Sequence, residues 1–159
     1  MKILYPYVAP GRIYLYVAGN NPFMGEAREF ALFHSLDDFQ KTGSLVVKDG
    51  AVLGRGANGN DYHRKHQCER VRLKIPTGER YDLCEGCHPK NHSEPKAIAE
   101  AQSKGYGLAG ADLYLWGHWW CCEPCWRAII AAGIKNVYLL EGSERLFNKI
   151  HPDNILGKF

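Results

Sequence analysis

Apolar and polar residues follow two different rhythms along this chain, and the switches between them mark out its elements. From Gly25, the stretch GEAREFALFHSLDDFQKTG sets Ala27, Phe30, Ala31, Phe33, His34 and Asp37 at mixed three- and four-residue spacing, which predicts a helix that Gly43 terminates. SLVVKDGAVLGRGANG follows with two short apolar runs around Asp49-Gly50, the signature of a tight hairpin, so that Gly50 and Gly54 read as turn residues. The helical rhythm returns in SEPKAIAEAQSKG, with Ser93 as a cap, Glu94 in the first turn, Ala97, Ile98 and Ala101 on one face and Gly105 at the end. ADLYLW then reads as a buried strand, EPCWRAIIAAG as a helix stopped by Gly133, NVYLLE as another strand, and residues 143–159 as one more helix with a tail. Residues 3–18, broken by Pro6, Pro10 and Gly11, suit a short strand or an arm. The order helix, hairpin, helix, strand, helix, strand predicts an α/β sandwich in which a mixed sheet carries helices on its faces. Strand-to-strand crossovers in such a fold are right-handed, and active groups gather where strands end and helices begin.

Between Asn60 and Asn91 the periodicity disappears, although Arg70 to Ile75, RVRLKI, alternates like an exposed strand. A stretch of this length without ordinary elements needs something else to hold it, and Cys68, Cys84 and Cys87 are suited to that task. Metal is expected to replace the missing core.

Composition adds limits rather than an answer. The 159 residues predict one domain over 1–159, and 45% hydrophobic with 23% charged residues is enough apolar material for a core. Twenty Lys and Arg against seventeen Asp and Glu leave a net +3, too small to identify a partner. Apolar runs stop well short of the ~18 residues that span a bilayer, and MKILYPYVAPGR lacks a cleavage pattern, so the expected location is intracellular, in the cytoplasm. There, six cysteines read as thiols or metal ligands rather than disulfides.

The chemistry concentrates at two helix starts. His92-Ser93-Glu94 opens one helix and Cys122-Glu123-Pro124-Cys125 opens the next. One imidazole and two thiolates hold Zn²⁺ with a fourth position left for water, the arrangement of a catalytic rather than a closed site. The N-terminal end of a helix favours thiolates. Glu94, two residues beyond the ligand His92, is placed to shuttle protons beside that open position. The order H-x-E, then C-x-x-C, matches zinc deaminases that act on cytosine or adenine.

On these residues the sequence resembles the cytidine deaminase-like superfamily, most closely its deoxycytidylate (dCMP) deaminases, over roughly residues 25–142. GEAREFALFHSLDDF is similar to the family's first helix, SLVVKDGAVLGRGANG to its hairpin, NHSEPKAIAEA to the His-x-Glu helix, and CCEPCWRAIIAAGIKNVYLLEG to the cysteine helix and next strand. The resemblance implies a three-layer α/β/α fold and hydrolytic loss of a ring amino group as ammonia. It implies His92, Cys122 and Cys125 as ligands of a catalytic zinc and Glu94 as the proton shuttle. It also implies that Asn58 bonds the substrate sugar, and that the chain forms a homo-oligomer. The chain departs from the family in having Cys121 where proline usually precedes the first cysteine, and LWGHWWC where a threonine-containing stretch is common.

Cys68, Cys84 and Cys87, with one of His63, His66 or His88, are assigned to a structural zinc in the insertion at about 60–91. His63 is favoured because the other two crowd against proposed ligands. Trp119 or Trp120 is a candidate to stack a base, with core packing as the competing reading. His118 is a candidate phosphate contact, with solvent exposure as its alternative. Arg55, Arg64, Lys65, Arg70, Arg72 and Lys74 form a loose basic series, for most of which a solvated surface is expected. Cys121 reads as a packed thiol. The expected function is therefore a zinc-dependent deaminase of a cytosine nucleotide, dCMP to dUMP, with a small-molecule substrate and no membrane. The alternatives are deamination of another base, a nucleoside, a guanine-type base or an RNA nucleotide, or a zinc-stabilised nucleic-acid binding module without turnover.

Overall fold

The computed structural model describes residues 6–157. A five-stranded mixed sheet forms the middle layer, in the order β1 (Tyr14–Val17), β5 (Asn136–Leu140), β4 (Asp112–Trp116), β2 (Gly43–Lys48), β3 (Ala51–Ala57). β1 and β4 run parallel to β5, while β2 runs antiparallel to both β3 and β4. Helix α1 (Pro22–His34) packs against one face, and α4 (Ser93–Ser103) with α5 (Glu123–Ala131) against the other. Leu45, Val46, Leu113, Leu115, Val137 and Leu139 fill the space between the layers. Two single-turn helices, α2 (Asp61–Lys65) and α3 (Glu69–Arg72), and three 3₁₀ turns build the insertion, and α6 (Ser143–Phe147) follows the sheet. The residues predicted as strand or arm at the N-terminus supply β1; residues 1–5 lie outside the described chain. Among the described residues no helix is long and apolar enough to cross a membrane.

Four local expectations are corrected. Helix α1 starts earlier and ends at His34, not near Gly43. Asn21 caps it by accepting from Phe23 and Met24 N–H at 3.0 Å with Pro22 at the first position, and Asp37 Oδ1 then takes the Phe39 and Gln40 N–H groups at 2.9 Å, a side-chain turn that replaces further helix. Gly43 instead opens β2. Residues 70–75 form no strand: Arg72 and Leu73 N–H reach Cys68 and Glu69 carbonyls at 3.0 and 2.9 Å, and Arg70 turns inward to donate to the carbonyls of Glu79 and Pro76. Ser93 is not the cap of α4. His92 holds that position, and Ser93 Oγ pairs with Ser44 Oγ at 2.7 Å, fastening the helix start to β2.

Gly54 is the fourth correction. The hairpin turn sits at Asp49-Gly50, both with positive φ (51° and 78°), whereas Gly54 lies within β3 beneath α4. A Cβ there would stand 2.3 Å from Ala97 O, and one on Gly56 would stand 2.2 Å from Ser93 O. The two glycines let the α4 backbone rest directly on the strand, which fixes the height at which His92 and Glu94 enter the site. Gly56→Ala is expected to push the start of α4 outward, lowering stability by about 1–3 kcal/mol as an overpacked contact does. Urea unfolding measures this, and an unchanged midpoint would contradict the close-packing account.

Candidate active site and metal centres

The first cluster is assembled from two helix caps. His92 and Cys122 occupy the N-cap positions of α4 and α5, both with extended backbone (ψ 158° and 163°), and Cys125 projects from the first turn of α5. His92 Nδ1 stands 3.5 Å from Cys122 Sγ and 3.4 Å from Cys125 Sγ, and the two sulfurs are 3.3 Å apart. Metal–ligand lengths of about 2.3 Å to sulfur and about 2.05 Å to nitrogen give tetrahedral edges of about 3.6–3.8 Å. The donor set and its spacing therefore fit one Zn²⁺ with little adjustment. The hydrogen bond with Cys125 and the His92 imidazole hold the Cys122 thiol down, to about 5, while burial pushes Cys125 up.

Glu94 lies in the first turn of α4, 4% exposed, with Ser93 Oγ–H donating to its Oε2 at 3.2 Å. Burial pushes its carboxyl above the usual range, with the His92 imidazole opposing. His92, Glu94 and Cys122 all line one cavity. A carboxylic group that is desolvated yet faces a cavity is equipped to take and return a proton.

The second cluster gathers His63, Cys68, Cys84 and Cys87, whose ligand atoms all lie within 4.8 Å of one another. Cys68 and Cys87 sulfurs are 3.5 Å apart, and His63 Nε2 is 3.3 Å from Cys84 Sγ and 3.7 Å from Cys87 Sγ. Three sulfurs and one nitrogen with these edges fit a closed structural zinc. His63 joins the cluster; His66 stacks on Tyr62 at 4.3 Å, and His88 Nδ1 accepts from Lys90 N–H. The seat for the His63 ring is Gly86, where a Cβ would stand 2.4 Å from the imidazole. Arg70, 6% exposed, faces this cluster, and its charge favours the Cys87 thiolate.

Other sequence candidates divide. Trp120 and His118 line the cavity, while Trp119 stacks on His118 at 4.5 Å and 10°. Burial pushes His118 down to about 3, so it meets a ligand as a neutral ring. Asn58 also lines the cavity, but its Oδ1 accepts from Ser35 Oγ and Thr42 N–H (2.6 and 2.9 Å) and its Nδ2 donates to Gln40 O at 2.6 Å. One amide hydrogen is left for a substrate. In the basic series, Arg55 pairs with Glu26, Arg64 with Asp61 and Arg72 with Glu69, as expected of a solvated surface.

Two contributors were not visible from the sequence. Tyr14, on edge strand β1, accepts from Cys121 N–H at 2.7 Å and Trp126 Nε1–H at 2.9 Å and donates to Tyr7 O at 2.7 Å, bracing the cysteine turn from behind. Cys121 itself is fully buried beside Glu94. Lys149, after α6, lines the cavity and lies 5.0 Å over the Phe39 ring. A lone tyrosine in a strand and a lone lysine in a tail carry no periodic signal that assigns them to a site.

Residues 20–141 match the family described as the cytidine and deoxycytidylate deaminase zinc-binding region, and the chain belongs to that family. More particularly, it is 29% identical over 136 residues to ComE operon protein 2 of Bacillus subtilis (strain 168), covering 86% of this chain and 64% of that protein, so it spans a little under two thirds of that relative. The dCMP deaminase of cyanophage S-TIM5 is similar in fold. Its apo form gives a TM-score of 0.50 at 24% identity over 74% of this chain and 78% of that one, and its complex with dCMP and dUMP gives 0.50 at 23% over 77% and 82%.

Protein purified without chelator is expected to carry two zinc ions per chain by elemental analysis. Gly86→Ala is expected to lower the count by displacing the His63 ring; a full complement in that variant would refute the seat assigned to Gly86.

Proposed function

We propose that this chain is a hydrolytic deaminase of a nucleobase carried on a nucleotide, with dCMP to dUMP as the first reaction to test. The observation that carries the reading is the shared cavity: His92, Cys122 and the buried carboxyl of Glu94 face the same space. His92, Cys122 and Cys125 would hold the catalytic zinc, which when bound supplies the Lewis acidity that brings a water within reach of deprotonation near neutral pH. Glu94 receives the water proton and delivers it to N3 of the ring as the oxygen adds to C4. The remaining hydroxyl proton then passes through Glu94 to the exocyclic nitrogen, the C4–N bond breaks and ammonia leaves. The elevated carboxyl favours uptake of the water proton, because a group that holds its proton more tightly is the better acceptor, and it is still acidic enough to donate to an amine in the last step.

A nucleotide rather than a free base is favoured by charge. Arg70 and Lys149, each under 10% exposed, line the same cavity. Burial, with the Arg70 charge adding to it, pushes the Lys149 ammonium below its usual value. Arg70 is held by the Glu79 and Pro76 carbonyls, and the Asp37 carboxylate supports the Lys149 ammonium, so both cations are partnered; the positive charge they bring to the cavity wall favours a ligand that carries a phosphate. Trp120 supplies an apolar wall for the ring. A guanine-type base or an RNA nucleotide is the second reading, since an aromatic wall and a proton shuttle serve any flat amino-substituted ring.

Ammonia release from cytosine, deoxycytidine, dCMP, guanine and a short RNA decides among these. Turnover of dCMP with a large loss for deoxycytidine is expected, and absence of ammonia from every compound with zinc-replete protein would sink the deaminase reading in favour of a binding module. Glu94→Gln is expected to abolish turnover, by at least a hundredfold, with zinc content unchanged. Lys149→Met is expected to raise KM for dCMP about tenfold or more while kcat changes little; equal KM values for the two proteins would remove Lys149 from the phosphate contact.

A further inference from the structure

We propose that the second metal cluster sets the geometry and the zinc affinity of the first, through Cys87, which serves both. The Cys87 sulfur lies in the cluster with His63, Cys68 and Cys84, and its carbonyl oxygen lies 3.2 Å from His92 Nε2. A carbonyl can only accept, so Nε2 carries the ring proton and donates it. In the neutral ring the lone pair is thereby left on Nδ1, the atom turned toward Cys122 and Cys125. That is the tautomer a metal requires, and its partner is an atom whose position depends on the other metal.

The connection is short and stiff. Only His88 to Asn91 separate Cys87 from His92, and Pro89–Asn91 is wound into a 3₁₀ turn closed by Asn91 N–H to His88 O (2.8 Å) and His92 N–H to Pro89 O (3.0 Å). Asn91 Nδ2 donates to Glu85 O at 2.9 Å, tying the turn to the segment between the two cysteines. A second route runs through packing. Arg70 lies 4.2 Å over the Tyr81 ring, and Tyr81 meets the His92 ring edge-on at 5.6 Å and 67°. Three sulfurs around a divalent ion leave one net negative charge, and Arg70 is the buried cation that faces it. Without the second ion, the Cys87 carbonyl loses the anchor that aims it at His92. Loading the second site therefore raises the affinity of the first, and by linkage the effect is mutual.

This inference rests on the two-metal reading and is independent of which amine is removed. Cys84→Ser takes one donor from the second cluster without touching Cys87 or His92. Elemental analysis should then find two zinc ions in the wild-type chain and one in the variant. Competition against a chromophoric chelator should find the remaining site weakened about 10–100-fold, the range seen when the hydrogen-bond partner of a ligating histidine is lost. The His92 Nε2–H proton should exchange slowly and show ¹⁵N coupling in the wild-type protein, and should broaden or vanish in the variant. The reverse arm uses Cys125→Ala, which removes the first site and should weaken zinc at the second, so the question is still decided if Cys84→Ser does not fold. Unchanged first-site affinity in a folded Cys84→Ser chain, or unchanged second-site affinity in Cys125→Ala, overturns the coupling. Fewer than two zinc ions in the wild-type chain overturns the metal reading itself and the coupling with it.

Discussion

A metal held by one imidazole and two thiolates requires three donor atoms to meet within a few ångströms, although His92 and Cys122 are thirty residues apart. Two helices must therefore start at the same place, pointing their first residues at each other. Extended backbone at both caps turns His92 and Cys122 away from their own helix axes and into the shared gap. Where α4 starts is governed by β3, since Gly54 and Gly56 allow backbone to rest on backbone, and by the bond from Ser93 to Ser44. Where α5 starts is governed by β4 and by Tyr14, which accepts the N–H of Cys121, the residue before the first ligand. The sheet is thus a template that sets two helix termini in register.

Charge burial is the second organising theme. A protein interior tolerates an ion only beside a partner. Arg70 satisfies this rule with two backbone carbonyls, the Tyr81 ring and the Cys87 sulfur, and so makes the insertion part of the wall of the cavity rather than a decoration on its surface. Lys149 also lines the cavity, from the segment after α6. Both residues depend on elements that carry little regular structure, yet they bring positive charge to a wall that also holds Asp37 and Glu94.

The family match covers residues 20–141, the insertion included, and two contributors lie beyond it. Tyr14 and Lys149 come from the flanking segments, and the His63 and Cys68 cluster comes from the insertion. The shared core carries the zinc-binding helix starts. The flanks and insertion supply the bracing of those starts and the cavity wall, where differences in substrate would be written.

The helices and strands around the zinc motif were legible because each is a local event: a spacing of three and four, an alternation, or a turn pair such as Asp49-Gly50 depends only on neighbours in the chain. The His92, Cys122 and Cys125 cluster was legible for the same reason, since metal chemistry fixes residue types at short spacings within each motif. Where local rules competed, tertiary contacts chose. Asp37 ended α1 by capturing two amides, Arg70 turned an alternating stretch inward, and Gly54 proved to be a platform for a helix instead of a turn. Which histidine joins the second cluster depended on whether a ring could fit over Gly86, and the roles of Tyr14 and Lys149 depended on how distant segments return to the sheet. Sequence by itself determined the cysteine donors, His92 and the elements that carry them; only the tertiary structure decided which histidine completes the second cluster and which distant atoms stand behind the donors, because a hydrogen bond or a buried charge is specified by position in space and leaves no period along the chain.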